Sequence, residues 1–166
     1  MFWARATTCL STIVVDKFVA VTSVDELTTR FRDRGLRVTP QRQAIFRLLD
    51  GNDRHPTVEE LFESAAAEMP TISRKTVYQT VHDLESMGEV ALLDLGTGSV
   101  RVDPNVEAPH HHLICNRCGM VRDVVVDVTS LALPARRRYG FIVSDVEVHY
   151  RGVCDACTDP STDPST

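Results

Sequence analysis

The chain has 166 residues, 43% of them apolar, and its 23 acidic and 18 basic side chains leave a formal charge of -5. That length and apolar share suit one domain or two small ones with an ordinary core, which excludes disorder throughout, and no apolar run approaches the roughly 18 residues that span a bilayer. The acidic balance excludes DNA binding by overall charge, so a nucleic-acid surface would have to be local.

The first stretch, MFWARATTCL, lacks a long apolar segment followed by a small-residue cleavage site. It predicts no secretory signal and a reducing, cytoplasmic setting. Residues 1–20 are expected to be an extension, either disordered or upstream of a true start near Val21. Ser23 or Asp25 opens a first helix reaching about Asp33, with Gly35 ending it. Thr39 caps a second, with Pro40 at its first position and Ile45, Phe46, Leu48 and Leu49 on its apolar face, until Gly51.

Thr57-Val58-Glu59-Glu60 reads as a capping box before Leu61, Phe62, Ala65 and Met69. Ser73 opens a fourth helix in which Val77, Val81, Leu84 and Met87 recur at helical spacing, and Gly88 ends it. Met69, Met87 and Phe62 are assigned to the core, His82 to a helix surface. Residues 90–103 break at Gly96-Thr97-Gly98, the mark of a hairpin.

Short helices followed by a hairpin are the order of a winged helix-turn-helix, whose helix before the wing enters the major groove. The exposed residues expected there are Arg74, Lys75, Thr76, Tyr78, Gln79 and His82. They offer cations for phosphate, a flat ring for a thymine methyl and an amide for adenine. Upstream, Arg30, Arg32, Arg34, Arg37, Arg42 and Arg47 face one acid, Asp33, a local net of +5. That stretch reads as a phosphate-binding surface or as an arginine-rich solvated helix pair.

Cys115 with Cys118, and Cys154 with Cys157, form two C-x-x-C knuckles that aim four thiolates at one closed, tetrahedral zinc site. Redox switching of these thiols is the other reading, and Cys9 has no partner at comparable spacing. The intervening chain must return to its start, which alternating apolar strands over 120–128 and 141–150 would accomplish. Just before the first knuckle stands HHHLIC. If 110–114 is extended, His110 and His112 share a face and His111 takes the other. Asp123, on a returning strand, and Asp103, before a turn-rich segment, could add carboxylates, and such a mixed set suits iron, manganese or zinc. The same residues also read as solvated polar groups on a sheet edge. The tail TDPSTDPST is low-complexity and expected to be disordered over 158–166.

Together, GLRVTPQRQAI, RHPTVEEL, SRKTVYQTVHDLESMG, VRVD, HHHLICNRCG and a late C-x-x-C resemble the ferric uptake regulator (Fur) superfamily over about 21–157. The resemblance implies an α+β fold. A winged helix-turn-helix DNA-binding domain would occupy 21–103, a hinge 104–109, and a small α/β dimerisation domain with the four-cysteine structural zinc site 110–157. It implies a homodimeric repressor on double-stranded operator DNA, without catalytic turnover or membrane attachment. The regulatory ligands it implies fall on His55, Asp103, His110, His112 and Asp123.

Both acids are aspartate, which is similar to the peroxide-sensing PerR/FurA/CatR branch, as is the ending GFIVSDVEVHYRGVC. A further histidine site found in many iron and zinc sensors is not matched, because His149 falls out of register. The resemblance therefore implies Fe(II) or Mn(II) at the regulatory site, with peroxide sensed by oxidation of His55 or His110 and oxidative-stress genes such as a catalase-peroxidase repressed. An iron- or zinc-homeostasis repressor is the alternative within the family. A metal-dependent hydrolase, with metal-bound water as nucleophile, and a zinc-ribbon interaction module are the alternatives outside it.

Overall fold

The computed structural model describes residues 22–106 and 109–158. The extension at 1–20, Cys9 and most of the low-complexity tail lie outside these residues. Four helices come first: α1 (Val24–Asp33), α2 (Pro40–Leu49), α3 (Val58–Glu68) and α4 (Arg74–Met87). Each begins where a hydroxyl side chain satisfies an otherwise orphaned backbone N–H. Ser23 and Thr57 form complete capping boxes with Glu26 and Glu60, and Thr39 and Ser73 accept from the N–H three residues on. Gly88 ends α4 in the left-handed conformation, φ 75°.

The apolar faces of these helices meet in one core containing Phe31, Ile45, Phe46, Leu49, Leu61, Val77, Val81 and Leu84, with Phe31 and Phe46 rings 4.8 Å apart. Phe62 and Met87 pack against it half-buried, whereas Met69 serves as the C-cap of α3. Strands β1 (Ala91–Leu93) and β2 (Arg101–Asp103) pair antiparallel with Leu92 opposite Val102, forming the wing. On its other side β2 touches the turn before α3: the Val102 N–H donates to the Pro56 carbonyl at 2.8 Å, and Thr57 bridges to Arg101. Asp103 is thereby drawn close to His55.

The second half holds a three-stranded sheet of order β4-β3-β5, built from β3 (His111–Cys115), β4 (Val121–Val124) and β5 (His149–Gly152). β4 runs antiparallel to β3 and β5 parallel to it. A short helix α5 (Asp155–Thr158) follows, so Thr158 belongs to regular structure and not to a disordered tail. Ile114 and Val121 bury against Leu95, with Leu93 packed beside them, which joins the sheet to the wing.

The expected strands are shorter than their apolar patterns. Of 120–128 only Val121–Val124 is strand, and of 141–150 only His149 and Tyr150 are. Between β4 and β5 the chain makes two 3-10 turns, Thr129–Leu131 and Ala135–Arg137, and leaves Tyr139, Phe141 and Ile142 at 89%, 76% and 96% exposure. Apolar alternation marks a strand only when a second surface covers it, and no described residue covers this one. Among the described residues no helix is long and apolar enough to cross a membrane.

Phe46 is fully buried beside Phe31. Phe46→Ala should therefore lower unfolding free energy by about 3–5 kcal/mol, read from the urea midpoint at unchanged m-value.

Candidate metal centres

The two knuckles come together because β3 and β5 run parallel, pairing Cys115 with Gly152. The first knuckle closes through the Gly119 N–H, which donates to the Cys115 carbonyl at 3.0 Å. The second closes through the Cys157 N–H to the Cys154 carbonyl at 2.9 Å. Cys115, Cys118, Cys154 and Cys157 all offer sulfur within 4.8 Å of one another, and the Cys118 and Cys154 sulfurs are 3.7 Å apart.

The donor chemistry suits zinc. Backbone N–H groups of Cys118 and Cys154 favour the Cys115 thiolate and bring its pKa down to about 6, whereas the neighbouring Cys154 and Cys118 thiols push Cys157 up to about 12. Four sulfurs this close cannot all ionise without a cation, and zinc supplies that charge in a tetrahedral, all-sulfur site.

A second cluster lies where the wing meets the sheet. His55 is 1% exposed and stands in the turn before α3 with φ 50°, a left-handed conformation unusual for a residue other than glycine. The Arg101 guanidinium donates to its carbonyl at 2.8 Å, clamping that turn to β2. His55 Nε2 lies 2.9 Å from Asp123 Oδ1 and 3.4 Å from Asp103 Oδ1. His110 Nε2 is 3.0 Å from Asp103 Oδ2 and 3.2 Å from His112 Nε2.

His55, His110, His112 and Asp123 fall within 4.8 Å of one another, and Asp103 contacts all three imidazoles. All five residues singled out for regulation meet. Ligands about 2.1 Å from one ion stand about 3 Å apart when adjacent and about 4.2 Å when opposite, so the separations among His55, His110, His112 and Asp123 fit one divalent transition metal, with Asp103 beside them reaching His55 through Oδ1 and His110 and His112 through Oδ2. His55 Nε2 and Asp123 Oδ1 are buried without a well-formed hydrogen bond, as atoms reserved for such an ion would be.

The electrostatics lean the same way. Burial opposes charge on His55, but Asp103 and Asp123 outweigh it and raise its pKa from 6.5 to about 9. Burial likewise opposes charge on Asp103, yet hydrogen bonds from His110, His112 and His55 hold its carboxyl well below the usual carboxylate range. Asp123 is lowered against burial by His55 and Asn105. Asn105 also ties the start of the expected hinge into this network, donating its side-chain amide to Asp123 at 2.8 Å and its backbone N–H to Asp103 at 2.7 Å.

His111 takes the other face of β3, where Nδ1 accepts from the Val148 N–H at 3.3 Å. His149, set aside as out of register, in fact lies close by: its Nε2 is 2.8 Å from Glu147 Oε1, which also sits 3.1 Å from His112 Nδ1. Glu147 had no place among the residues expected at a site. The one available signal was its spacing of two from His149, which allows both side chains onto one side of an extended chain.

On α4, Lys75 and Tyr78 are exposed, Thr76 is half-buried, and His82 is 68% exposed beside Glu85. Two expected readers of DNA are engaged within the protein. Arg74 lies over the Phe62 ring and pairs with both Glu59 oxygens, and Gln79 donates to Asp83 at 2.8 Å. In the arginine stretch Arg30 pairs with Glu89 and Arg42 with Asp83, each at 2.6 Å. Arg32, Arg34, Arg37 and Arg47 remain exposed.

A sequence model described as the ferric uptake regulator family matches residues 33–151. The peroxide-responsive repressor PerR of Staphylococcus aureus strain Mu50 is 33% identical over 137 residues, covering 82% of this chain and 92% of its own length. Among solved structures, a zinc-bound manganese uptake regulator is similar at TM-score 0.66 and 33% identity, covering 77% of this chain and 98% of that one. The Helicobacter pylori ferric uptake regulator Fur, at TM-score 0.67 and 18% identity over 84% of this chain and 97% of its own, shares the fold.

Because His55 has a folded pKa above its unfolded value, its pairing with Asp103 and Asp123 stabilises the protein fully below about pH 6.5 and fades as pH rises through about 9. With the thiolate site loaded and the histidine cluster free of metal, denaturation should show on the order of 3 kcal/mol lost across that window. A flat profile would contradict it, and a metal bound at the histidines should remove the dependence.

Proposed function

The chain belongs to the ferric uptake regulator family, and on that premise we propose that it is a metal-dependent, DNA-binding transcriptional repressor whose affinity for operator DNA is set by an ion held between its two halves. The observation that carries this reading is the meeting of His55 and Asp103, from the helical half, with His110, His112 and Asp123, from the sheet half. The ligand set fixes the angle between the halves only when all five residues are engaged. We assign 21–103 to DNA binding, 104–109 to the hinge, 110–157 to metal binding and dimerisation, and structural zinc to the four cysteines.

Self-association is supported by the exposed apolar side chains Leu131, Leu133, Tyr139, Phe141 and Ile142, which flank three arginines and which a second copy would cover. Arg37, Lys75, Thr76 and Tyr78 approach DNA directly, while Arg74 and Gln79 must exchange their acidic partners for phosphate or base. Lys75→Ala should weaken binding to specific and random duplexes alike and lower the salt slope by about 1, which a salt titration would detect.

For the input we favour peroxide. The PerR relative is named for it, and both acids of the cluster are aspartates. Iron(II), held by His55, Asp103, His110, His112 and Asp123, would supply the redox chemistry that cleaves the O–O bond of hydrogen peroxide. One peroxide oxygen would enter a ring C–H of His55 or His110 and the other would leave as water, so the imidazole would be the net two-electron reductant; the oxidised ring would be a weaker donor and would loosen the clamp. The second reading is a metal-homeostasis repressor. The manganese uptake regulator is as similar in sequence as PerR, and three imidazoles with two carboxylates would accept manganese equally.

Gel shifts with operator DNA distinguish these readings. Iron- and manganese-loaded protein should both bind, but peroxide should release only the iron form, with one added oxygen on His55 or His110 by peptide mass spectrometry. Oxygen found only on cysteines would reject this route. His110→Ala should keep zinc and the fold yet lose metal-dependent binding by at least about tenfold.

A further inference from the structure

Glu147 lies outside the five-residue cluster but touches it. The backbone around it is fixed on both sides of Val148: the Val148 N–H donates to His111 Nδ1 at 3.3 Å, and its carbonyl accepts from the His112 N–H at 3.2 Å. This two-sided attachment continues into the parallel pairing of β3 with β5, in which His112 stands opposite His149. Glu147 therefore reaches His112 from a segment that strand β3 itself holds in place.

One carboxylate oxygen, Oε1, lies 3.1 Å from His112 Nδ1 and 2.8 Å from His149 Nε2. An ionised carboxylate can only accept hydrogen bonds, so both imidazole nitrogens must donate to it. For His112 this selects the tautomer with the proton on Nδ1. The lone pair is then on Nε2, the nitrogen that points at His110 and Asp103. His149, bonded to the same oxygen, holds the carboxylate in this orientation.

We propose that Glu147 is a positioning residue of the regulatory metal site, fixing the tautomer and ring orientation of His112 and, through the shared hydrogen bond, strengthening Nε2 as a ligand. This rests on the assignment of His112 as a metal ligand. The sensing cluster then extends beyond its ligands to the strand that carries the second cysteine knuckle. The same trio could instead hold an ion of its own. Both imidazoles pointing at a single oxygen is the geometry of donors sharing an acceptor and favours the positioning role.

The test uses the full chain with zinc in the thiolate site, titrated with cobalt(II) or manganese(II). Glu147→Ala should weaken the ion by about tenfold, the low end for loss of such a partner because Glu147 is 44% exposed. Glu147→Gln, which keeps a neutral acceptor, should fall between Ala and wild type, with zinc content unchanged in both. In the cobalt form, proton NMR should show a slowly exchanging, strongly shifted Nδ1–H of His112 that is lost in the Ala variant and kept in the Gln variant.

Wild-type affinity in Glu147→Ala, a Gln variant as deficient as Ala, or a His112 N–H that survives in Ala would each overturn the proposal. So would a second bound ion that disappears in His149→Ala. If instead His55→Ala and His110→Ala bind the ion as tightly as wild type, the regulatory site itself has been misassigned, which is a separate failure.

Discussion

Two carboxylates, Asp103 and Asp123, point at the same imidazole nitrogen from opposite halves of the molecule, in a space where His55 and Asp103 are almost wholly buried. Like charges brought that close in a medium of reduced dielectric need a cation between them. The two acids raise the His55 pKa, so a proton on its ring can supply that charge. On the function proposed above, a bound ion would take the place of that proton and draw on His110 and His112 as well, and the occupant of the site would set how firmly the helical half is tied to the sheet.

The rest of the seam is slight enough for that choice to count. Leu93 and Leu95 pack against Ile114 and Val121, Arg151 donates to the Leu95 carbonyl at 2.7 Å, and Arg122 lies near Asp53 at 3.6 Å. A small apolar contact with a few polar links leaves relative movement of the two halves available. The strained turn at His55 adds to this. A left-handed histidine persists because Arg101 holds its carbonyl and the acids hold its ring, so changes at the ring are felt in the turn that leads into α3.

Much of this was legible in the chain because its signals are local. Ser23, Thr39, Thr57 and Ser73 cap their helices as their spacing indicates, and C-x-x-C geometry needs no knowledge of the fold. His110, His112 and Asp123 were visible as a possible ligand set, but His55 entered only through family resemblance, since nothing in RHPT by itself announces a metal. Glu147 escaped because its partner His112 lies 35 residues away across a parallel pairing that spacing does not reveal. The stretch at 141–148 misled for the opposite reason, its apolar pattern being the mark of a surface still to be covered. Arg74 and Gln79 looked free for DNA because neither Glu59, 15 residues away, nor Asp83, four away, was recognised as a partner.

Strand β3 carries His112 at its second position and Cys115 at its last, so the two metal centres are separated by about 10 Å of extended backbone. The β3–β5 pairing and, on the proposed assignment, the sulfur-bound ion together hold the segment that presents Glu147 to the neighbouring imidazole. Loss of that first ion would then be felt at the far end of the strut as a looser grip on the second, by no more than the roughly tenfold expected of losing Glu147 itself.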